Sequence, residues 1–148
     1  MKIEDEIKQH RFKSPHQKAV INLIFTSSWL QHQQQSFFKD AGITAQQFNI
    51  LRILKGQLPE AISAKEIKSR MLDKNSDVSR LLDRLLAKGL ISKRTCPNDK
   101  RAFDVTITES GLTILQSLDK KQKAIDQVLR LTDDEANTLS NLLDKARG

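Results

Sequence analysis

Apolar positions recur at helical spacing through most of the chain. Between residues 20 and 30 they fall on two lines rather than one. Val20, Leu23, Ile24 and Leu30 share one side, while Ile21, Phe25 and Trp29 follow an i, i+4, i+8 line on nearly the opposite side. Ser14-Pro15-His16-Gln17 supplies a start, with Ser14 as N-cap, Pro15 in the first turn and Gln17 able to close a capping box. The helix is expected to run to about Lys39, before Gly42. A helix that is apolar on two faces must bury both. In so short a chain, one face is expected to meet its own body and the other a second subunit. The alternative is a central core helix within a monomer.

Shorter helices follow, each with a readable start. Thr44 and Gln47 form a capping box ahead of Phe48, Leu51, Ile53 and Leu54, and Gly56 is expected to end that helix. Ser63 and Glu66 form another, opening a short helix over residues 63–71. A turn at Asp73-Lys74-Asn75 leads into a helix over residues 76–88, stopped by Gly89. The period then changes. Residues 90–95 and 102–108 read as strands, the second because Phe103, Val105 and Ile107 alternate with Asp104, Thr106 and Thr108. The polar run from Cys96 to Arg101 reads as the hairpin tip between them. Thr108 can cap a further helix carrying Leu112, Leu115 and Leu118, then Ile125, Val128 and Leu129. Thr132 and Glu135 box the start of a last helix, with Ala136, Leu139, Leu143 and Ala146 at near-heptad spacing. The pattern predicts a mainly α chain with a small β hairpin. Three short helices followed by a two-stranded hairpin is the order of a winged helix-turn-helix.

Composition narrows the class. The 148 residues carry 25 Lys and Arg against 18 Asp and Glu, a net charge of +7. The excess is uneven: net +3 over residues 1–63, +6 over 64–101 and −2 over 102–148. An anionic partner is implied, met through the middle of the chain. No apolar run approaches the roughly 18 residues of a membrane span, so no membrane partner is expected and a cytoplasmic location is. The single cysteine, Cys96, excludes an internal disulfide framework and a Cys-based zinc site. His10, His16 and His32 are too irregularly spaced for a metal set. No Gly-rich phosphate loop or nucleophile elbow is present, so neither an enzyme nor a bound cofactor is expected.

The helix over residues 76–88 carries the argument for function. Val78, Leu81, Leu82 and Leu85 form one stripe that must face the core. Opposite stand Ser76, Arg80, Asp83 and Ala87, with Ser79 and Arg84 on the flanks and Lys74 and Asn75 at the approach. Small Ser side chains permit close approach to a major groove about 12 Å wide, and an Arg can bond a guanine bidentately or hold a phosphate. At the hairpin tip, Lys100 and Arg101 suit a narrow minor groove. Asp99 can hold that tip by pairing with Arg84 or Arg94. A solvated amphipathic helix and a solvated turn are the plain alternatives for these charges.

The run from Gly42 to Leu51 resembles the opening helix of the DNA-binding domain of the MarR family. Asp77-Val78-Ser79-Arg80-Leu81-Leu82-Asp83-Arg84-Leu85 resembles its recognition helix. Lys88-Gly89-Leu90-Ile91, Asp99-Lys100-Arg101 and Thr108-Glu109-Ser110-Gly111 match its helix end, wing tip and post-wing helix. Lys100 stands where an Arg is common, which keeps the charge and loses the fork. The resemblance spans roughly residues 15–146. It implies a homodimeric transcription regulator, usually a repressor, that binds double-stranded DNA at a pseudo-palindromic operator. It also implies that Ser63 and Lys65 anchor phosphate and that Arg101 enters the minor groove. The implied division is a helical dimerisation region, residues 1–40 and 109–148, around a DNA-binding domain, residues 41–108. Ile21, Phe25, Trp29, Leu139 and Leu143 are the expected dimer interface. Many relatives release DNA on binding a small phenolic or anionic effector, and Trp29, His16, His32 and Arg52 are candidates to line its cleft. The rival reading is a winged-helix protein-interaction module without specific DNA binding.

Overall fold

The structure, a computed structural model, describes residues 1–96 and 99–148, and for residues 96 and 99–102 the backbone. In chain order the elements are α1 (Ile3–Glu6), α2 (Pro15–Lys39), α3 (Ala45–Gln57), β1 (Ile62–Ser63), α4 (Ala64–Arg70), α5 (Val78–Ala87), β2 (Ile91–Cys96), β3 (Asp99–Ile107), α6 (Glu109–Asp119), α7 (Gln122–Asp126), a 3-10 turn (Gln127–Leu129) and α8 (Asp133–Arg147).

Side-chain caps set most helix starts. Thr44 Oγ1 accepts from the Gln47 amide at 3.1 Å, and Gln47 Oε1 accepts from the Thr44 amide at 3.0 Å. Thr132 and Glu135 close the same reciprocal box on α8, with amide bonds of 3.3 and 2.9 Å. At α2 the box is displaced by one residue. Ser14 Oγ accepts from the Gln17 amide, but Gln17 Oε1 accepts from the amide of Lys13. At α4, Ser63 accepts from the Glu66 amide, while the Glu66 carboxylate turns to Arg70 at 3.7 Å.

The sheet is antiparallel, in the order β1-β3-β2. Ile62 lies opposite Val105, and Ile91 opposite Ile107. One core joins the sheet to the helices: Ile50, Leu51 and Leu54 of α3, Ile67 of α4, Leu82 and Leu85 of α5, Val105 of β3, and Leu115 and Leu118 of α6 are all 0–1% exposed. Gly111 lies where α6 crosses the strand ends. A Cβ there would collide with the Leu90 carbonyl and stand 2.6 Å from Ile107 Cγ1. Thr108 Oγ1 accepts from the Gly111 amide and donates to the Gly89 carbonyl at 2.7 Å.

Several expectations are corrected. The hairpin is part of a three-stranded sheet, because β1 pairs with β3. β3 begins at Asp99, so Asp99, Lys100 and Arg101 belong to a strand, not a loop. Gly56 sits inside α3, which ends at Gln57 with Leu58, the residue before Pro59, as its C-cap. Glycine costs a helix only about 1 kcal/mol, whereas the residue preceding a proline is driven out of helical geometry. The helix expected to carry both Leu112 and Leu129 breaks after Asp119 into α6, α7 and the 3-10 turn. The pattern gave no sign of α1, which is held by buried Ile3 and a contact between Glu4 and Lys18.

The terminal helices differ from this core. Phe38 is the only buried residue of α2, and α8 has none. Val20, Leu23 and Ile24 are 56%, 51% and 65% exposed, whereas Ile21 and Phe25 are half-buried. The barer of the two stripes on α2 is therefore not the one expected at the interface.

Candidate nucleic-acid interface

The helix over α5 is built for one-sided burial. Val78, Leu82 and Leu85 are buried and Leu81 is half-buried. The opposite face leaves Ser79, Arg80, Asp83, Arg84 and Ala87 exposed. Asp77 is the N-cap, its Oδ1 accepting from the Arg80 amide at 3.2 Å. This moves the helix start two residues past the expected Ser76. Ser76 is 7% exposed, and its hydroxyl is buried without a hydrogen-bond partner. Its expected place on the outward face is thus corrected: Ser76 and Asp77 both suit a cap, the carboxylate took the role, and the preceding serine turned inward.

The approach to α5 is fastened to the helices before it. Asn49 Oδ1, on α3, accepts from the Leu72 amide at 2.9 Å. Asp73 Oδ1 accepts from the Asn75 amide at 2.9 Å, and the Lys74 ammonium donates to the Ser69 carbonyl at the end of α4. Lys74 and Asn75 are exposed. Ser63 is half-buried with its hydroxyl used in the α4 cap, and Lys65 beside it is exposed.

In the wing, the register places Arg94 opposite Asp104 and Asp99 opposite Cys96. Asp104 also lies opposite Ser63 of β1, so it is flanked by both expected site residues. Arg94 is exposed, and Lys93 lies 4.2 Å from the centroid of the Phe103 ring. The side chains of Asp99, Lys100 and Arg101, on which the wing contacts rest, lie outside the described residues, as does the Cys96 thiol. Asn49 and Asp104 were not anticipated. No spacing marks Asn49, and Asp104 read only as the polar half of an alternation.

The residues suggested for an effector cleft do not gather. Arg52 is 3.1 Å from Asp119 and lies over the Phe48 ring. His16 and His32 are exposed, and Trp29 is 38% exposed. The structure instead has a cleft of about 620 Å³ between α2, α3 and the turn preceding α5, and one of about 480 Å³ lined by Lys39, Arg84 and Lys88. None of those four residues lines either. Among the described residues, no group of His, Cys, Asp or Glu could hold a metal ion, and no helix is long and apolar enough to cross a membrane.

Two helices joined by a fastened turn, the second presenting cations outward and leading into an antiparallel hairpin, define a winged helix-turn-helix protein. The sequence profile of the MarR family matches residues 43–103. The multiple antibiotic resistance protein MarR of Salmonella typhimurium is 34% identical over 113 residues, covering 74% of this chain and 77% of that protein. A mutant MarR from E. coli complexed with operator DNA superposes with a TM-score of 0.74 at 26% identity, covering 99% of both chains. A MarR-like transcription regulator from Bacillus cereus shares the fold, with a TM-score of 0.78 at 19% identity over 89% of this chain and 95% of that one. The chain belongs to the MarR family.

Proposed function

We propose that the protein is a homodimeric, sequence-specific regulator of transcription that represses by binding double-stranded DNA and is released by a small molecule. The observation that carries this reading is α5. One face is locked into the core, and the other offers Ser79, Arg80 and Arg84 to solvent. The likeness to a MarR complexed with operator DNA supports it. Residues 41–108 are the reading lobe. Ser79, Arg80 and Arg84 enter a major groove, Ser63, Lys65, Lys74 and Asn75 meet phosphate or the groove edge beside it, and the β2–β3 wing brings Lys100 and Arg101 to a minor groove. Residues 1–40 and 109–148 form the dimer. Val20, Leu23 and Ile24 join Ile21, Phe25, Trp29, Leu139 and Leu143 in covering one another across a twofold axis. Pseudo-palindromic operators follow from that symmetry.

The test is affinity for duplexes selected from a randomised pool, measured against salt. Affinity falls steeply as salt rises, because bound phosphates release counterions. Arg80→Ala weakens the selected duplex by about tenfold or more, the loss of a base or phosphate contact worth about 1–3 kcal/mol. A flat salt response or an unchanged Arg80→Ala affinity overturns the reading and leaves a module for protein contact.

A further inference from the structure

We propose that Lys93 holds a DNA phosphate between the major groove that α5 reads and the minor groove that the wing meets, and that Phe103 positions its ammonium for that contact. The contact rests on the DNA-reading function proposed above. A sugar–phosphate strand separates the two grooves of a duplex. With α5 in one groove and the wing in the next, that strand runs through the angle between helix and wing. A cation standing in this angle meets phosphate and reads no base.

The register decides which cation of β2 stands there. Residues paired across two strands share a face of the sheet, and faces alternate along each strand. Lys93 lies opposite Val105, which is 0% exposed, and Phe103 comes two residues before Val105. Lys93 and Phe103 therefore project on the core side of the sheet. β2 is an edge strand, and α5 packs against it. Past the buried Ile91 this side of β2 opens to solvent: Lys93 is exposed, and Phe103 is half-buried against the rim of the core. Arg94, which the sequence offers as a partner for Asp99, projects from the other side of the sheet, opposite Asp104. Lys93, not Arg94, is the cation on the side of the wing that α5 adjoins.

Phe103 supplies the placement. The Lys93 ammonium lies 4.2 Å from the centroid of its ring, a cation–π contact. A lysine carries its charge on a flexible four-carbon stem, and fixing that stem on a ligand costs rotamer freedom. The ring holds the ammonium at one point of the wing before DNA arrives. It occupies one side of the group and leaves N–H donors for a phosphate oxygen. An aliphatic side chain at residue 103 would fill space at the rim of the core and offer the cation no such seat.

The experiment uses the full chain and the selected duplex. Lys93→Gln weakens that duplex and duplexes with altered half-site bases by the same factor, about three- to tenfold, and lowers the slope of log affinity against log salt by about one. In duplexes carrying a single neutral methylphosphonate, the wild type loses affinity when the substituted position lies between the α5 half-site and the flanking minor groove, and Lys93→Gln is indifferent to that position. Phe103→Leu weakens the duplex in the wild-type background but not in the Lys93→Gln background, and Phe103→Tyr keeps the wild-type affinity. An unchanged salt slope in Lys93→Gln, or undiminished sensitivity of that variant to the methylphosphonate, overturns the phosphate assignment. Equal losses from Phe103→Leu in both backgrounds, or a loss in Phe103→Tyr as large as in Phe103→Leu, overturn the positioning role. A wild type that binds no duplex overturns the regulatory reading and this contact together. A wild type with a steep salt response, beside a Lys93→Gln variant that matches it, overturns this contact alone.

Discussion

The reading lobe and the terminal helices treat their apolar side chains in opposite ways. In the lobe, Leu51, Leu54, Ile67, Leu82 and Leu85 are 0–1% exposed. On the terminal helices, Ile24 is 65% and Leu142 59% exposed, and nothing in α8 is buried. Yet α8 has a reciprocal capping box as complete as that of α3. Local chemistry makes a helix in both places, and only in the lobe does the chain supply something to cover it. An amphipathic helix left bare gains stability chiefly from what it packs against, so in the dimer proposed above the terminal helices depend on a second copy and the lobe does not.

The largest expected effect lies in the lobe. Leu54→Ala empties a site that is 1% exposed and destabilises the fold by about 2–5 kcal/mol, read by chemical denaturation. The loss is similar at all protein concentrations below and above dimer formation. A concentration-dependent loss would mean that the lobe core also relies on the partner. Next comes the interface. Ile24→Glu places a charge in the barest stripe and weakens the dimer by roughly a hundredfold or more in sedimentation. Trp29→Glu, where the side chain is already 38% exposed, weakens it less. The reverse order would return the interface to the Ile21, Phe25 and Trp29 line. The smallest effect is local to α8. Hydrogen bonds from the Thr132 backbone and then its hydroxyl hold the Glu135 carboxyl below the ordinary glutamate range. The folded state therefore favours the carboxylate. Its contribution is complete above the ordinary glutamate value and is lost as pH falls through the lowered one. Amide-exchange protection at the start of α8, taken relative to the intrinsic rate at each pH, falls over that acid range, and Glu135→Gln makes the protection independent of it.

Much of this was legible because it is local. The Thr44 and Thr132 boxes, the Val78, Leu82 and Leu85 stripe and the alternation of β3 each depend on residues within one turn or one strand. What escaped depends on distant partners or on close competition. β1 has two residues and no period to read, and it exists because β3 lies across from it. α3 runs past Gly56 because Pro59, further along, sets its end. Ser76 turns inward because its neighbour Asp77 caps the helix instead. At the site, the exposed face of α5 followed from its buried stripe. The Asn49 tie to Leu72 spans 23 residues and has no signature along the chain.

The double role of Thr108 has a mechanical consequence. By bonding Gly89 on one side and Gly111 on the other, it rivets the loop leaving α5 to the start of α6, and the β2–β3 hairpin runs between those two points. The helix and the ribbon then travel as one tool head, with little play between them. In the dimer proposed above, the distance between two such heads on one duplex is set elsewhere, at the stems where α2 and α6 leave the lobe. On that proposal, tuning the protein to a different operator spacing is a matter of altering its hinges, while altering the bases it selects is a matter of recutting α5.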